Sequence, residues 1–136
     1  MLDLNSFDLA TNSDIGYDMP VINPYTNEEI EGATIRVRGD KSKTVVAFER
    51  KLYNEQDRAR KVRVGKNKDE APSLEELEDM VVRAAVVRIM GWKGFKEDGM
   101  AFEYSPENAE VLMKKHDWLR EQVREAAKEL EHFRPE

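Results

Sequence analysis

The sequence predicts an α+β fold dominated by helices, with an amino-terminal β-hairpin packed on about four α-helices. Three observations predict it. Short apolar-polar alternations flank an Asn-Pro turn near the amino terminus, apolar residues recur at helical spacing from Val45 onward, and Ser73 and Ser105 open helices with strong capping patterns. At 136 residues the chain is one domain's worth, long enough to bury roughly two-thirds of its unfolded surface around a single core.

Residues 1–14 mix Asp, Asn and Ser with a few apolar positions and show no period, so they read as a mobile arm, with a single domain over residues 15–136. The hairpin occupies residues 15–39. Its alternations run from Tyr17 to Ile22 and from Ala33 to Val37, and Asn23-Pro24-Tyr25-Thr26-Asn27-Glu28 between them favours a turn. Gly32 and Gly39 mark a bulge and the exit from the second strand.

Val45, Phe48, Leu52, Ala59 and Val62 then lie at helical spacing, predicting an amphipathic helix over residues 43–64 followed by a polar loop from Lys66 to Pro72. Ser73 and Glu76 form a capping box that opens a helix over residues 73–90. Its apolar surface nearly encircles it, which marks it as the central helix, and Gly91 stops it. An irregular connection follows and turns at Asp98-Gly99. Ser105-Pro106-Glu107 starts a short helix over residues 106–115. The last helix, residues 118–133, carries Leu119, Val123, Ala126, Leu130 and Phe133 on one stripe.

Composition narrows the function. Hydrophobic residues make up 40% and charged residues 37% of the chain, and no apolar run approaches the ~20 residues of a membrane-spanning helix. The amino terminus lacks the basic flank and apolar stretch of a secretory signal, so residence in the cytosol is expected. Cysteine is absent, which excludes disulfides, thiol nucleophiles and thiolate metal sites. The net charge of −6 is unevenly spread: residues 35–68 hold 12 Lys/Arg against 4 Asp/Glu, a local +8 that leaves −14 for the remainder. Chains so polarised pair basic and acidic faces within a monomer or head to tail between copies.

Few groups converge for chemistry. His116 and His132 stand alone, without the paired spacing of a zinc site, and read as surface or helix-end residues. The acid pairs Glu28-Glu29, Glu75-Glu76 and Glu78-Asp79 fall in a turn or on solvated helix faces. Lys96-Glu97-Asp98-Gly99 lacks the alternating oxygen ligands of a calcium loop, and no glycine-rich phosphate loop is present. A non-enzymatic binding protein without cofactor or metal is therefore expected. A basic helix carrying Arg50, Lys51, Arg58, Arg60, Lys61, Arg63, Lys66 and Lys68 allows a second reading, a small DNA-associated regulator using residues 43–68. Its cations occupy several faces and are interrupted by Glu49, Glu55 and Asp57, which makes nucleic acid the weaker reading. Trp92, Phe95, Phe102, Tyr104 and Trp118 lie in or beside the connections between helices, where large side chains plug the ends of a core or line a groove for a partner. Trp92, Phe95 and Trp118 are the candidates for partner binding, and Arg58, Lys61 and Arg63 for self-association into a homo-oligomer.

Taken in order, several phrases resemble those of the tail assembly chaperones of long-tailed, lambda-like and HK97-like bacteriophages. They are Val21, Asn23, Pro24 and Thr26 in the hairpin; Gly91 and Trp92; Tyr104, Ser105, Glu107, Asn108 and Ala109; and Trp118 through Val123. The likeness runs from about Tyr17 onward and is specific as an ordered set, while each phrase alone is short. It implies a small, mainly helical protein that binds and solubilises the phage tape measure protein in many copies, in the host cytoplasm and not in the mature virion. It further implies recruitment of tail tube protein through a longer form made by ribosomal frameshifting. A long apolar helix needs its exposed stripe covered until tube subunits replace the cover, so each contact is modest and repeated.

Overall fold

The computed structural model describes residues 1–66 and 72–135, with the side chains of residues 62–66 outside the description. It is α+β and mainly helical, as the sequence predicts. In chain order the elements are α1 (Leu9–Ile15), β1 (Tyr17–Ile22), β2 (Glu29–Val37), α2 (Lys43–Lys66), α3 (Leu74–Val87), β3 (Ile89–Lys93), β4 (Lys96–Glu97), β5 (Met100–Ala101), α4 (Pro106–Lys115) and α5 (Asp117–Lys128), with 3-10 turns at Leu4–Phe7 and Leu130–Phe133. Residues 67–71, within the loop expected after the basic helix, lie outside the described residues.

The hairpin forms around the Asn-Pro turn, where the Asn23 side chain accepts from the Tyr25 amide at 2.8 Å and Asn27 takes a φ of 62°. Pairing is antiparallel, Tyr17 opposite Val37 and Met19 opposite Ile35, and the register shifts between Pro20 and Ile22, across from the stretch that holds Gly32. Met19, Val21, Ala33, Ile35 and Val37 alternate inward onto α3, α4 and α5. From the helices, Val82, Ala85, Leu112, Met113, Leu119 and Val123 complete this core.

Four details differ from the expectations. Residues 1–14, expected as an arm, carry two helical elements. Asp8 caps α1 by accepting from the Thr11 amide, and α1 docks through Ser13, whose carbonyl accepts from Gly39 at 3.1 Å. A helix docked by a small polar residue has no apolar period to betray it. Gly39 is required there, because a Cβ would stand 2.7 Å from Ser13 Oγ and 3.0 Å from the Phe133 ring.

The helix expected over residues 73–90 stops at Val87, and Ile89–Lys93 is a third strand paired antiparallel to β2. Ile89, Met90 and Trp92 suit either state; the open edge of β2 decides in favour of the strand. Arg38 fastens the junction, its amide donating to the Arg88 carbonyl and its guanidinium to that of Val87. Gly91 therefore lies within β3. The irregular connection contains a small hairpin, β4 with β5, turning at Asp98 (φ 52°) and Gly99 (φ 80°). The helix expected over residues 118–133 ends at Lys128, and Glu129 adopts an extended conformation before the final 3-10 turn. That break lets His132 stack on Tyr17, rings 4.1 Å apart, and buries Phe133.

Two side chains tie the layers together. Arg88, buried at the end of α3, donates to Asp40 at 2.8 Å, to Glu49 at 2.9 Å and to the Ala84 carbonyl at 2.6 Å, clasping α2 against α3. Gln122 on α5 takes both main-chain groups of Ile22, accepting from its amide at 2.9 Å and donating to its carbonyl at 2.8 Å.

Candidate functional site

Beside the aromatic cluster opens a groove of about 420 Å³, within the range of binding pockets. Hairpin residues Val21, Ile30 and Ala33 form one wall. Phe95 and Phe102, flanking the β4–β5 hairpin, form another, and Leu112, Trp118 and Leu119 of α4 and α5 close the third side. Lys96, Glu97, Lys115 and His116 stand at the rim, where Lys115 Nζ approaches Glu97 Oε1 at 3.4 Å.

The groove exists because the chain can make a very tight approach behind it. Gly94 has a φ of +81°, and a Cβ there would overlap the Gly32 carbonyl. That contact sets the β3–β4 connection against the hairpin and aims the next residue, Phe95, across the opening. On the other side, Ser105 accepts from the Asn108 amide at 3.0 Å to start α4, with Pro106 at its first position. Trp118 follows one residue into α5, edge-on to His116 at 6.1 Å.

The three aromatic candidates thus part company. Trp92 is core: it is 9% exposed, its Nε1–H donates to the Phe102 carbonyl at 2.7 Å, and its ring stacks 5.4 Å from Phe95 with Tyr104 edge-on at 5.2 Å. Phe95 and Trp118, both half-buried, line the groove. Val21, Ile30 and Leu112 were not singled out as wall residues, and no local signal marks them, since tertiary packing alone brings them to the opening.

The self-association candidates also differ. Arg58 is exposed and makes no ion pair among the described residues. Lys61 pairs with Asp57 of its own helix at 3.1 Å, as does Arg60 at 3.2 Å. Arg63 has its side chain outside the described residues. The histidines take structural places, His132 against Tyr17 and His116 capping α4. Glu75, Glu76, Glu78 and Asp79 line a separate, polar cleft with Glu110 and Lys114. Among the described residues no group of three His, Asp or Glu side chains is placed to hold a metal ion, and no helix is long and apolar enough to cross a membrane. With its polar groups confined to the rim, the groove is suited to holding apolar side chains between aromatic walls.

Fold and groove together define a small α+β protein with an aromatic-walled groove on one side. Residues 39–136 match the sequence model of the YdaY prophage protein family, and the chain belongs to that family, a phage-derived one. The matched stretch holds Phe95, Phe102, Leu112 and Trp118, while the hairpin wall precedes it. No curated protein and no solved structure matches the sequence.

Proposed function

We propose that this prophage protein is a tail assembly chaperone, which binds and solubilises the tape measure protein by contact and without covalent chemistry. The observation that carries the reading is the open, aromatic-walled groove between hairpin, β4–β5 connection and α5. A groove of this kind takes the apolar stripe of an amphipathic helix, two or three side chains at a time. Many copies along one long helix then hold it by repetition, and each leaves without a large barrier when tube subunits arrive.

The phrases that resemble the chaperone family have structural work consistent with this. The Asn23 phrase makes the hairpin turn that brings Ile30 to the groove, the Ser105 phrase starts the helix carrying Leu112, and the Trp118 phrase supplies both a groove wall and the Gln122 clasp. Recruitment of tail tube protein, through a frameshifted longer form, belongs to the same proposal.

The test is co-expression with the tape measure protein of the same prophage, reading the soluble fraction of that partner. The wild-type chain is expected to keep it soluble. Trp118→Ala, with folding verified by circular dichroism, is expected to weaken binding about tenfold, the effect of losing an aromatic anchor. A tape measure chain left insoluble by the wild-type protein overturns the proposal. One observation favours the DNA-associated reading, the exposed cations Arg50, Lys51 and Arg58 on α2. It requires retention on a duplex column at low salt, with steep loss as salt rises.

A further inference from the structure

A second groove, of about 370 Å³, lies on a different part of the surface, between β1 and α5. Its floor is apolar, from Tyr17, Met19, Ile22 and Ala126. Along one side runs an acidic row, Glu121, Glu125 and Glu129, at four-residue spacing. Glu121 pairs loosely with Arg124 at 3.3 Å, whereas Glu125 and Glu129 have no ion pair among the described residues.

The molecule carries the complement of this groove. Val45, Phe48 and Leu52 turn one side of α2 inward, and at 3.6 residues per turn Arg50, Lys51, Asn54, Arg58 and Lys61 fall on the opposite side. All five are exposed, and the one acid on this side, Asp57, is taken up by Lys61 at 3.1 Å and Arg60 at 3.2 Å. Arg50, Lys51 and Arg58 make no ion pair among the described residues. Tyr53 stands beside this row and is 68% exposed. Arg50 to Arg58 spans eight residues of α2, about 12 Å, and Glu121 and Glu125 on α5 with Glu129 just past its end span the same number of residues. A basic row with an aromatic side chain at its edge thus faces an acidic row with an apolar floor at its edge, at matching length.

We infer that the outward face of α2 of one copy docks in the β1–α5 groove of a second copy. Arg50, Asn54 and Arg58 lie along Glu121, Glu125 and Glu129, and Tyr53 enters over Tyr17 and Ile22. Donor and acceptor are different surfaces, so each docked copy keeps one of each free, and association continues head to tail into a ring or an open array. The polarised charge of the chain, +8 over residues 35–68 and −14 elsewhere, favours this order over like meeting like. The inference does not depend on what the first groove binds.

The full chain is tested by analytical ultracentrifugation over a range of concentration and salt, with no partner present. Wild type is expected to associate at low salt and to dissociate as salt rises. Two variants change only exposed residues: R50E/R58E inverts the donor row, and E121K/E129K inverts the acceptor row. Each alone is expected to lose association at least tenfold; mixed together, they are expected to recover it, because the acidic α2 of one now meets the basic groove of the other. A wild-type chain that stays monomeric, association that survives either reversal, or a mixture that fails to recover overturns the inference. Tape measure binding by the two monomeric variants is read separately, so failure here and failure of the chaperone proposal are distinguishable.

Discussion

Replacing Trp92 with alanine separates core from contact surface. The indole is 9% exposed, and burying a side chain of that size removes about 150–250 Å² from water. At about 25 cal/mol per Å² this is roughly 4–6 kcal/mol, in line with the 3–5 kcal/mol typical of aromatic-to-alanine changes in cores. The Phe102 carbonyl also loses the donor at 2.7 Å, but it lies at the groove wall, where water replaces the N–H, so this adds at most about 1 kcal/mol. A loss of about 4 kcal/mol is expected, lowering the thermal midpoint by roughly 8–16 °C for a domain of this size. Urea unfolding followed by fluorescence is a clean assay, because Trp118 is the only other tryptophan. Trp92→Phe, which keeps the stacking on Phe95 and loses only the donor and part of the ring, is expected to cost about 1–2 kcal/mol. A Trp92→Ala protein within about 1 kcal/mol of wild type would show that the indole is not a core element. Any partner-binding defect of that variant then could not be assigned to lost stability.

Three further outcomes are expected. Arg88→Met removes three charge-assisted bonds; a buried pair broken this way usually costs 3–5 kcal/mol, but the Asp40 and Glu49 side chains are 38% and 55% exposed and recover water, so about 2–3 kcal/mol is expected in chemical denaturation. Gly94→Ala and Gly99→Ala both strain a positive φ, but only Gly94 also faces the Gly32 backbone. Gly94→Ala should therefore be the costlier by about 1 kcal/mol or more, and equal costs would count against the tight approach. The Asp8 carboxyl is held below its ordinary 3.8, first by the Thr11 amide and then by the Thr11 hydroxyl. A depressed folded pKa means the cap is at full strength above the ordinary value and fades as pH falls through the lower one; the Thr11 amide resonance should titrate below pH 3.8, and a midpoint at or above it would refute the cap.

What could be read beforehand was local. The Asn23 turn, the Ser73 and Ser105 caps and the Asp98-Gly99 turn each depend on neighbours within a few residues, and each stands where the sequence places it. Helix and strand could not be told apart from Ile89 to Trp92, because a short, mostly apolar stretch fits both periods and the choice belongs to β2, some fifty residues upstream. The same holds for the groove. Phe95 and Trp118 could be nominated by size and by their place between helices, and Trp92 could not be separated from them without seeing its ring enclosed. Ile30 and Leu112 look like any other apolar residues until the hairpin and α4 meet. Nothing local marks Arg88 as a clasp, because Asp40 and Glu49 arrive from elsewhere in the chain.

The Gln122 clasp also bears on the exposed border of the sheet. β1 borders the sheet, and an outer strand with unsatisfied main-chain groups invites an incoming polypeptide to pair with it. Here the amide side chain impersonates the missing neighbour at Ile22, and Pro20, two residues back on the same border, has no N–H to offer. At these two positions an incoming strand finds no free main-chain donor to pair with, which disfavours edge-to-edge association along β1.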